Sequence, residues 1–389
     1  MEFILKTQAI VGKGSLHQVP SYLEENQFSR VGMVVDQALI THEEVKKLMG
    51  SLKESIAIEY VYDLKFEPDY DSLDKIKVLF KKDREPKVDV IVAIGGGSTI
   101  DFAKGIATLI RNHEPAITYR GFPKNINPSI PIVAIPTTAG TASEVTYNAV
   151  FIDYRDNKKL GINTYNNFPV LAVLDSNMTK YAPYGIALSS GLDALVHSIE
   201  SFGANQHNSM TRIFAREAFK NLFNSIEMAL TEVENDQARE NMLLGAYQAG
   251  ISLMNSGSGP SGAISYALGT VCKIPHGIAG GMTLPFLIKH NVQHGYTDYT
   301  QLYDLIDGIN SSLSEEAKSK LFANEFFNLF ERLNVWEYAR KHEVNVDENE
   351  ELQAYLGLLQ GAFDQNPLPF TYADSVSILQ NIYSPEYAS

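Results

Sequence analysis

The sequence predicts an α/β N-terminal dinucleotide-binding domain on a parallel sheet, expected over residues 1–182, followed by an all-α C-terminal domain over 183–389. Three observations predict it. In the first half, short β-branched runs alternate with amphipathic stretches. One such run passes straight into Gly95-Gly96-Gly97-Ser98. Beyond Pro183 the apolar residues recur at spacings of three and four, with no strand alternation.

At 389 residues the chain is long enough for two lobes, each with a sizeable core. Its 44% hydrophobic and 20% charged content is that of a soluble globular protein, and no apolar run is long enough to span a bilayer. The N-terminus lacks the order of a signal peptide, so the cytoplasm is the expected compartment and a membrane is not an expected partner. A formal charge of −14 argues against nucleic acid, whose phosphates need clustered Lys and Arg. The single cysteine, Cys272, rules out an intrachain disulfide and a Cys-based zinc cluster. It reads as a packing residue; a nucleophilic role rests only on the nearness of His276.

Taken in order, Phe3-Ile4-Leu5 and Ala9-Ile10-Val11 read as two short strands of an edge hairpin before Gly12-Lys13-Gly14. Arg30 to Asp36 reads as a buried strand ending on an acid. At the end of such a strand a carboxylate accepts ribose hydroxyls and repels a 2′-phosphate, so Asp36 favours NAD(H), with NADP(H) as the alternative. The same residue could equally cap the next helix. A helix over 42–52, a strand over 56–62 and a helix carrying Leu73, Ile76, Leu79 and Phe80 follow. Val88 to Ile94 then leads into Gly95, Gly96, Gly97 and Ser98. Glycines let a pyrophosphate approach the backbone, and a following helix offers unpaired N–H groups. The stretch is neither G-x-G-x-x-G nor a nucleoside-triphosphatase loop. Ile130 to Ile135 feeds a second loop from Pro136 to Thr146, whose small and hydroxyl-bearing residues suit contact with ribose and nicotinamide. A Thr-rich helix cap is the plainer reading. Val170 to Leu174 is the last strand, and helices are expected over 211–230, 238–255 and 317–333.

In the second half, Asp193 and His197 lie four residues apart in a helical stretch and so leave one face of it. A carboxylate and an imidazole so placed suit a divalent transition metal if a third ligand joins them. His276, in Pro275-His276-Gly277, is the candidate, and two His with one carboxylate is a set for iron(II) or zinc.

Together, Gly95-Gly96-Gly97-Ser98 with Asp101, Pro136 to Thr141 with Ser143-Glu144-Val145-Thr146, Gly191-Leu192-Asp193-Ala194 with His197, and Pro275-His276-Gly277 resemble the iron-containing, group III, alcohol dehydrogenase family over nearly the whole chain. The resemblance implies a dehydroquinate synthase-like fold in which metal and nicotinamide meet, and a homodimer acting on a small-molecule alcohol or aldehyde. It implies that Asp36, the glycine loop, Asp101, Thr137, Thr138, Thr141, Ser143, Val145 and Lys159 serve the nucleotide and that Asn148 lies near substrate. The family's usual metal set is an Asp and three His. Here the expected third position is Gly262, and Tyr266 stands where many members have a proton-relaying His. The expected metal ligands are therefore Asp193, His197 and His276, and a histidine at 262 would be expected to restore a fourth.

The leading expectation is a metal-dependent, NAD(P)-linked alcohol dehydrogenase or aldehyde reductase, with His276, Tyr266 and Asn148 at the reacting end. The Ser265-Tyr266-x-Leu268 pattern resembles subgroups acting on anionic polar substrates, such as phosphonoacetaldehyde reductase and 3-deoxy-octulosonate 8-dehydrogenase, and Arg120, Lys158, Lys159 and Lys273 are candidates to meet the anion. Three rival readings stand beside it. One is a metal-free site in which Tyr266 assists the carbonyl. Another is a sugar-phosphate cyclase, which needs a cationic cluster that the helical half lacks. The last is a nucleotide-binding protein without turnover.

Overall fold

The computed structural model describes residues 2–63, 68–155, 158–342 and 344–384. Two compact units form, Leu5–Ala182 and Pro183–Ser389 with Met1–Ile4.

The first unit is organised on a six-stranded sheet whose paired strands all run parallel: β1 (Gln8–Val11), β2 (Val31–Asp36), β3 (Ile56–Tyr62), β4 (Val90–Gly95), β5 (Ile132–Pro136) and, after a hairpin of β6 (Val150–Asp153) and β7 (Lys158–Gly161), β8 (Leu171–Leu174). The spatial order is β1-β8-β5-β4-β2-β3. The helices α1 (Val19–Glu25), α2 (Glu43–Ser51), α3 (Tyr70–Lys77) and α4 (Gly97–Arg111) belong to this unit. Strands β2, β4, β5 and β8 are buried throughout, as parallel strands covered on both faces must be. From β2 the chain steps outward to β3, then returns past β2 to β4 and onward to β5. That reversal makes the β2–β4 junction the switch point at which open α/β sheets bind ligands. Val35 pairs with Ile94, and Gly95 with Pro136, so Asp36, Gly95 and Pro136 all end strands at one edge.

The expected N-terminal hairpin does not form. Only Gln8–Val11 is a strand, paired in parallel with β8. Upstream, the amide of Ile4 donates to Asn255 Oδ1 (2.6 Å) and its carbonyl accepts from Asn255 Nδ2 (2.9 Å). One asparagine thus satisfies both backbone groups that a partner strand would have used. Phe3 stacks on Phe214 with centroids 5.8 Å apart, drawing its segment to the helical unit.

That unit holds α5 (Tyr184–Gly203), α6 (Ser209–Thr231), α7 (Asp236–Ser256), α8 (Pro260–Val271), α9 (His276–Gln293), α10 (Glu315–Arg332) and α11 (Tyr372–Ile382). Helix α5 lies at the centre, packed against α6, α7 and α9. A β-carbon on Gly191 would come within 2.9 Å of Ile226 and 3.0 Å of Met242, and one on Gly281 within 2.9 Å of Leu192. Glycine at these points sets the helix spacing that the candidate metal ligands depend on. No described helix is long and apolar enough to cross a membrane.

Candidate functional site

One set of candidate residues lies in the first unit, at the carboxyl edge of the sheet. Gly95 and Gly97 are required by packing: β-carbons there would fall 2.5 Å from Thr99 and from Thr141. Gly96 is different. Its nearest neighbour would be Thr138 Oγ1 at 3.4 Å, an ordinary contact, so here the missing side chain leaves room for a ligand. Gly96 is also the N-cap of α4, and no side chain caps that helix. Uncapped N–H groups, a glycine lip and the exposed Ser98 fit a pyrophosphate. The buried Asp36 caps the turn after β2, accepting from the Ala38 amide at 2.8 Å, so the capping reading holds; its place at the switch point is also the one required of a ribose acceptor.

Residues 137–149 form an irregular loop, not a helix cap. The Thr137 amide donates to the Gly95 carbonyl (3.0 Å), and Thr141 Oγ1 accepts from the Ser143 amide (3.3 Å). Ala142 takes a left-handed φ of 55°, a conformation that persists only where neighbours enforce it. They do so through a buried network. Ser143 Oγ donates to Asp101 Oδ1 (2.5 Å), and Asp101 Oδ2 accepts from the Val150 amide (2.9 Å). Lys104 Nζ donates to Ser143 Oγ (2.9 Å) and to the Asn148 carbonyl (2.8 Å). Asp101 and Ser143, expected as nucleotide contacts, thus bind each other and fix the loop. Val145 is buried, Asn148 and Thr141 are exposed, Thr138 is half-buried, and Lys159 lies on β7 opposite Ile152. Arg120 is paired with Asp153 at 2.6 Å, a carboxylate that it shares with Arg155 at 2.7 Å.

Lys104 was not picked out from the sequence and Glu144 only as a member of a motif, and both are buried. Burial brings the Lys104 ammonium down to about 8, against the opposing pull of Asp101 and Glu144, and pushes the Glu144 carboxyl up to about 7. Because the folded value for Glu144 lies above its ordinary one, its stabilising contribution is full at low pH and is lost as pH rises through about 7. Glu144→Gln should therefore gain on the parent in thermal stability between pH 5 and pH 8. An equal difference in Tm at both values would show that Glu144 is not held protonated.

A separate set of candidate residues lies in the helical unit. Asp193 Oδ1 stands 3.5 Å from His197 Nε2, one turn along α5, and 3.7 Å from His276 Nε2, the first residue of α9. Two donors on one tetrahedral ion lie roughly 3.3–3.6 Å apart when each bond is about 2.0–2.2 Å. Asp193 therefore stands at nearly that separation from each of the two histidines. Among the described residues no group of three or more His, Cys, Asp and Glu is gathered at ion-holding distance as it stands, so binding would draw the side chains inward. The buried His197 Nδ1 has no hydrogen-bond partner. Asp193 thus stands near the separation a shared ion requires from each histidine, while the three side chains as placed do not close around one.

Gly262 supplies no side chain, and the space beside it is taken. A β-carbon there would lie 2.6 Å from Ser258 Oγ and 3.1 Å from Glu200 Oε2. The buried Glu200 accepts from Ser258 Oγ (2.9 Å) and from the amides of Gly259 (2.9 Å), Ser261 (2.5 Å) and Gly262 (3.2 Å), anchoring the start of α8. A histidine at 262 would have to shift the Ser258 hydroxyl and press on the Glu200 carboxylate that anchors the start of α8. Tyr266 packs its ring 4.5 Å from that of His276 and is 38% exposed. Lys273 is exposed, with φ 58° and its ammonium on the Thr270 carbonyl (2.7 Å). Burial raises the Cys272 thiol, the reverse of what a nucleophile requires.

Residues 6–176 match the family profile described as iron-containing alcohol dehydrogenase, and residues 187–383 match that of the Fe-containing alcohol dehydrogenase family, C-terminal. The chain is 28% identical to the NAD-dependent methanol dehydrogenase of Bacillus methanolicus, over 97% of this chain and 99% of the relative. It is 29% identical to the sulfoacetaldehyde reductase of Bilophila wadsworthia (strain 3_1_6), over 77% of each. The crystal structure of sulfoacetaldehyde reductase from Bifidobacterium kashiwanohense in complex with NAD+ superposes with a TM-score of 0.87 at 25% identity, covering 99% of both chains.

Proposed function

The chain belongs to the iron-containing alcohol dehydrogenase family and is an NAD(H)-linked oxidoreductase acting on alcohol and aldehyde groups; within that class we propose that it reduces a small polar or anionic aldehyde with a divalent metal, Fe2+ or Zn2+, held by Asp193, His197 and His276. The observation that carries this reading is the convergence of Asp193 Oδ1 on the Nε2 atoms of both histidines. A divalent ion bound there supplies Lewis-acid polarisation of the substrate oxygen. Gly96 and the start of α4 hold the pyrophosphate, Asp36 takes the ribose and disfavours a 2′-phosphate, and Thr137, Thr138, Thr141, Val145 and Lys159 line the remaining path of the nucleotide. Asp101 and Ser143 act beneath that path by fixing the loop. Asn148 and Tyr266 lie at the substrate end, and Tyr266 can pass a hydrogen bond to the reacting oxygen.

The anionic preference draws on two sulfoacetaldehyde reductases among the relatives, and Lys273 is the cation beside α8 suited to meet such a charge. A cytoplasmic homodimer belongs to the same reading. A second reading, a metal-free site relying on Tyr266, is favoured by the incomplete closure of the three ligands.

Elemental analysis of freshly purified protein, beside NADH consumption with sulfoacetaldehyde, phosphonoacetaldehyde and propionaldehyde, separates these readings. The expected result is near-stoichiometric metal, chelator-sensitive turnover and preference for the anionic substrates. Turnover without metal would transfer the role to Tyr266, and no net NADH consumption with any carbonyl would remove the reductase reading.

A further inference from the structure

Three ionisable groups are gathered where the 137–149 loop is bonded to α4: Lys104 and Glu144, both buried, and Asp101, largely so. Two carboxyl groups thus meet one ammonium. With all three ionised the cluster would hold an unbalanced negative charge, which surroundings poor in water penalise. The hydrogen bonds decide where a proton relieves it. Asp101 accepts from Ser143 Oγ (2.5 Å) and the Val150 amide (2.9 Å) and has Lys104 Nζ at 3.6 Å; burial raises it, and all three donors oppose that rise. Glu144 has no such set. Among the described residues no other residue donates to its carboxyl group, and Lys104 directs its bonds to Ser143 Oγ and the Asn148 carbonyl. The proton therefore rests on Glu144, and the cluster closes at zero net charge. It also adjoins the glycine loop: Asp101 lies one turn along α4 from its first residue, Gly97, and a β-carbon on Gly97 would fall 2.5 Å from Thr141, three residues before Glu144.

We propose that NAD(H) binding takes up a proton at Glu144, so that affinity for the cofactor falls as this carboxyl group ionises. The inference rests on the placement of the pyrophosphate at Gly96 and the start of α4, and deepens it. A bound pyrophosphate carries two negative charges and opposes a third on Glu144; by linkage, the ionised carboxylate opposes the cofactor to the same extent. Below about pH 7 the cluster is neutral and the cofactor is held, whereas above it the cluster is negative and the hold weakens. Loss of the Lys104 proton near 8 acts in the same direction. The charged groups that act on Glu144 are Asp101 and Lys104, both on α4; Tyr147 of the loop and Tyr165, packed edge-on against it at 5.0 Å, are phenols, not charges.

The test is calorimetric titration of the full-length protein with NADH at pH 6, 7 and 8, in pairs of buffers that differ in ionisation enthalpy, for the parent, Glu144→Gln and Gly96→Ala. In the parent, affinity is expected to fall about 5-fold or more from pH 6 to pH 8, with about 0.4 of a proton taken up at pH 7. In Glu144→Gln the uptake is lost and only the smaller fall due to Lys104 is left. Equal uptake in these two proteins overturns the proposal, and so does an absence of uptake in the parent, which needs no variant to read. Gly96→Ala tests the underlying placement, because its β-carbon would meet no protein atom closer than 3.4 Å and fills only the space assigned to the pyrophosphate. Weaker NADH binding by Gly96→Ala at every pH supports that placement; unchanged binding puts the pyrophosphate elsewhere, and the proposal falls with it.

Discussion

Replacing His276 with alanine is expected to lower turnover by about 10³-fold or more while leaving NADH affinity within about twofold. Removal of one ligand from three leaves Asp193 and His197 alone on α5, too few to hold a divalent ion well. The rate loss corresponds to about 4 kcal/mol of transition-state stabilisation, the order expected when an electrophile is lost from the reacting oxygen. The nucleotide loop belongs to the other compact unit and keeps its own internal network, so cofactor binding provides the control. Elemental analysis and stopped-flow NADH binding check both halves of the expectation. Full activity in His276→Ala would remove the metal assignment, and a parallel loss of NADH affinity would show that the variant damages more than a ligand.

The parts of this molecule legible in its sequence are those governed by short-range rules. Buried parallel strands are continuous apolar runs, and a strand feeding glycines and then a helix states its own geometry; β4, Gly95–Gly97 and α4 could therefore be read directly. Asp193 and His197 were legible because one helical turn relates them. What stayed hidden depends on partners far away in the chain. Lys104 looks like a solvated helix lysine, yet it is fully buried because Ser143 and Asn148, some forty residues on, bring it two oxygens. Glu200 gives no local sign that it will accept four donors from residues 258–262. The failed N-terminal strand has the same cause, since Phe3-Ile4-Leu5 has the composition of a strand and Asn255 takes its hydrogen bonds.

Gly277→Ala is expected to be the most destabilising single-methyl change in the site, at about 3–5 kcal/mol, with loss of the metal from whatever protein remains folded. Glycine at this position read in the sequence only as part of a Pro-His-Gly motif; the structure supplies the physical reason. A β-carbon on Gly277 overlaps the carbonyl oxygen of Ser189 and comes within 3.0 Å of Asp193 Cβ. The first obstacle is backbone in the central helix, so no change of rotamer relieves it and α9 must move away from α5. Any such movement carries His276, the adjacent residue and the start of α9, away from Asp193. Stability and ligand geometry thus depend on the same close approach. Gly50→Ala serves as the opposite control: it lies within α2 with nothing near its β-carbon, and alanine there should stabilise by roughly 0.5–1 kcal/mol. Denaturant midpoints of the two variants, read beside their metal content, test the argument. A Gly277→Ala protein that matched the parent in both would show that α5 and α9 do not need glycine to bring His276 to Asp193.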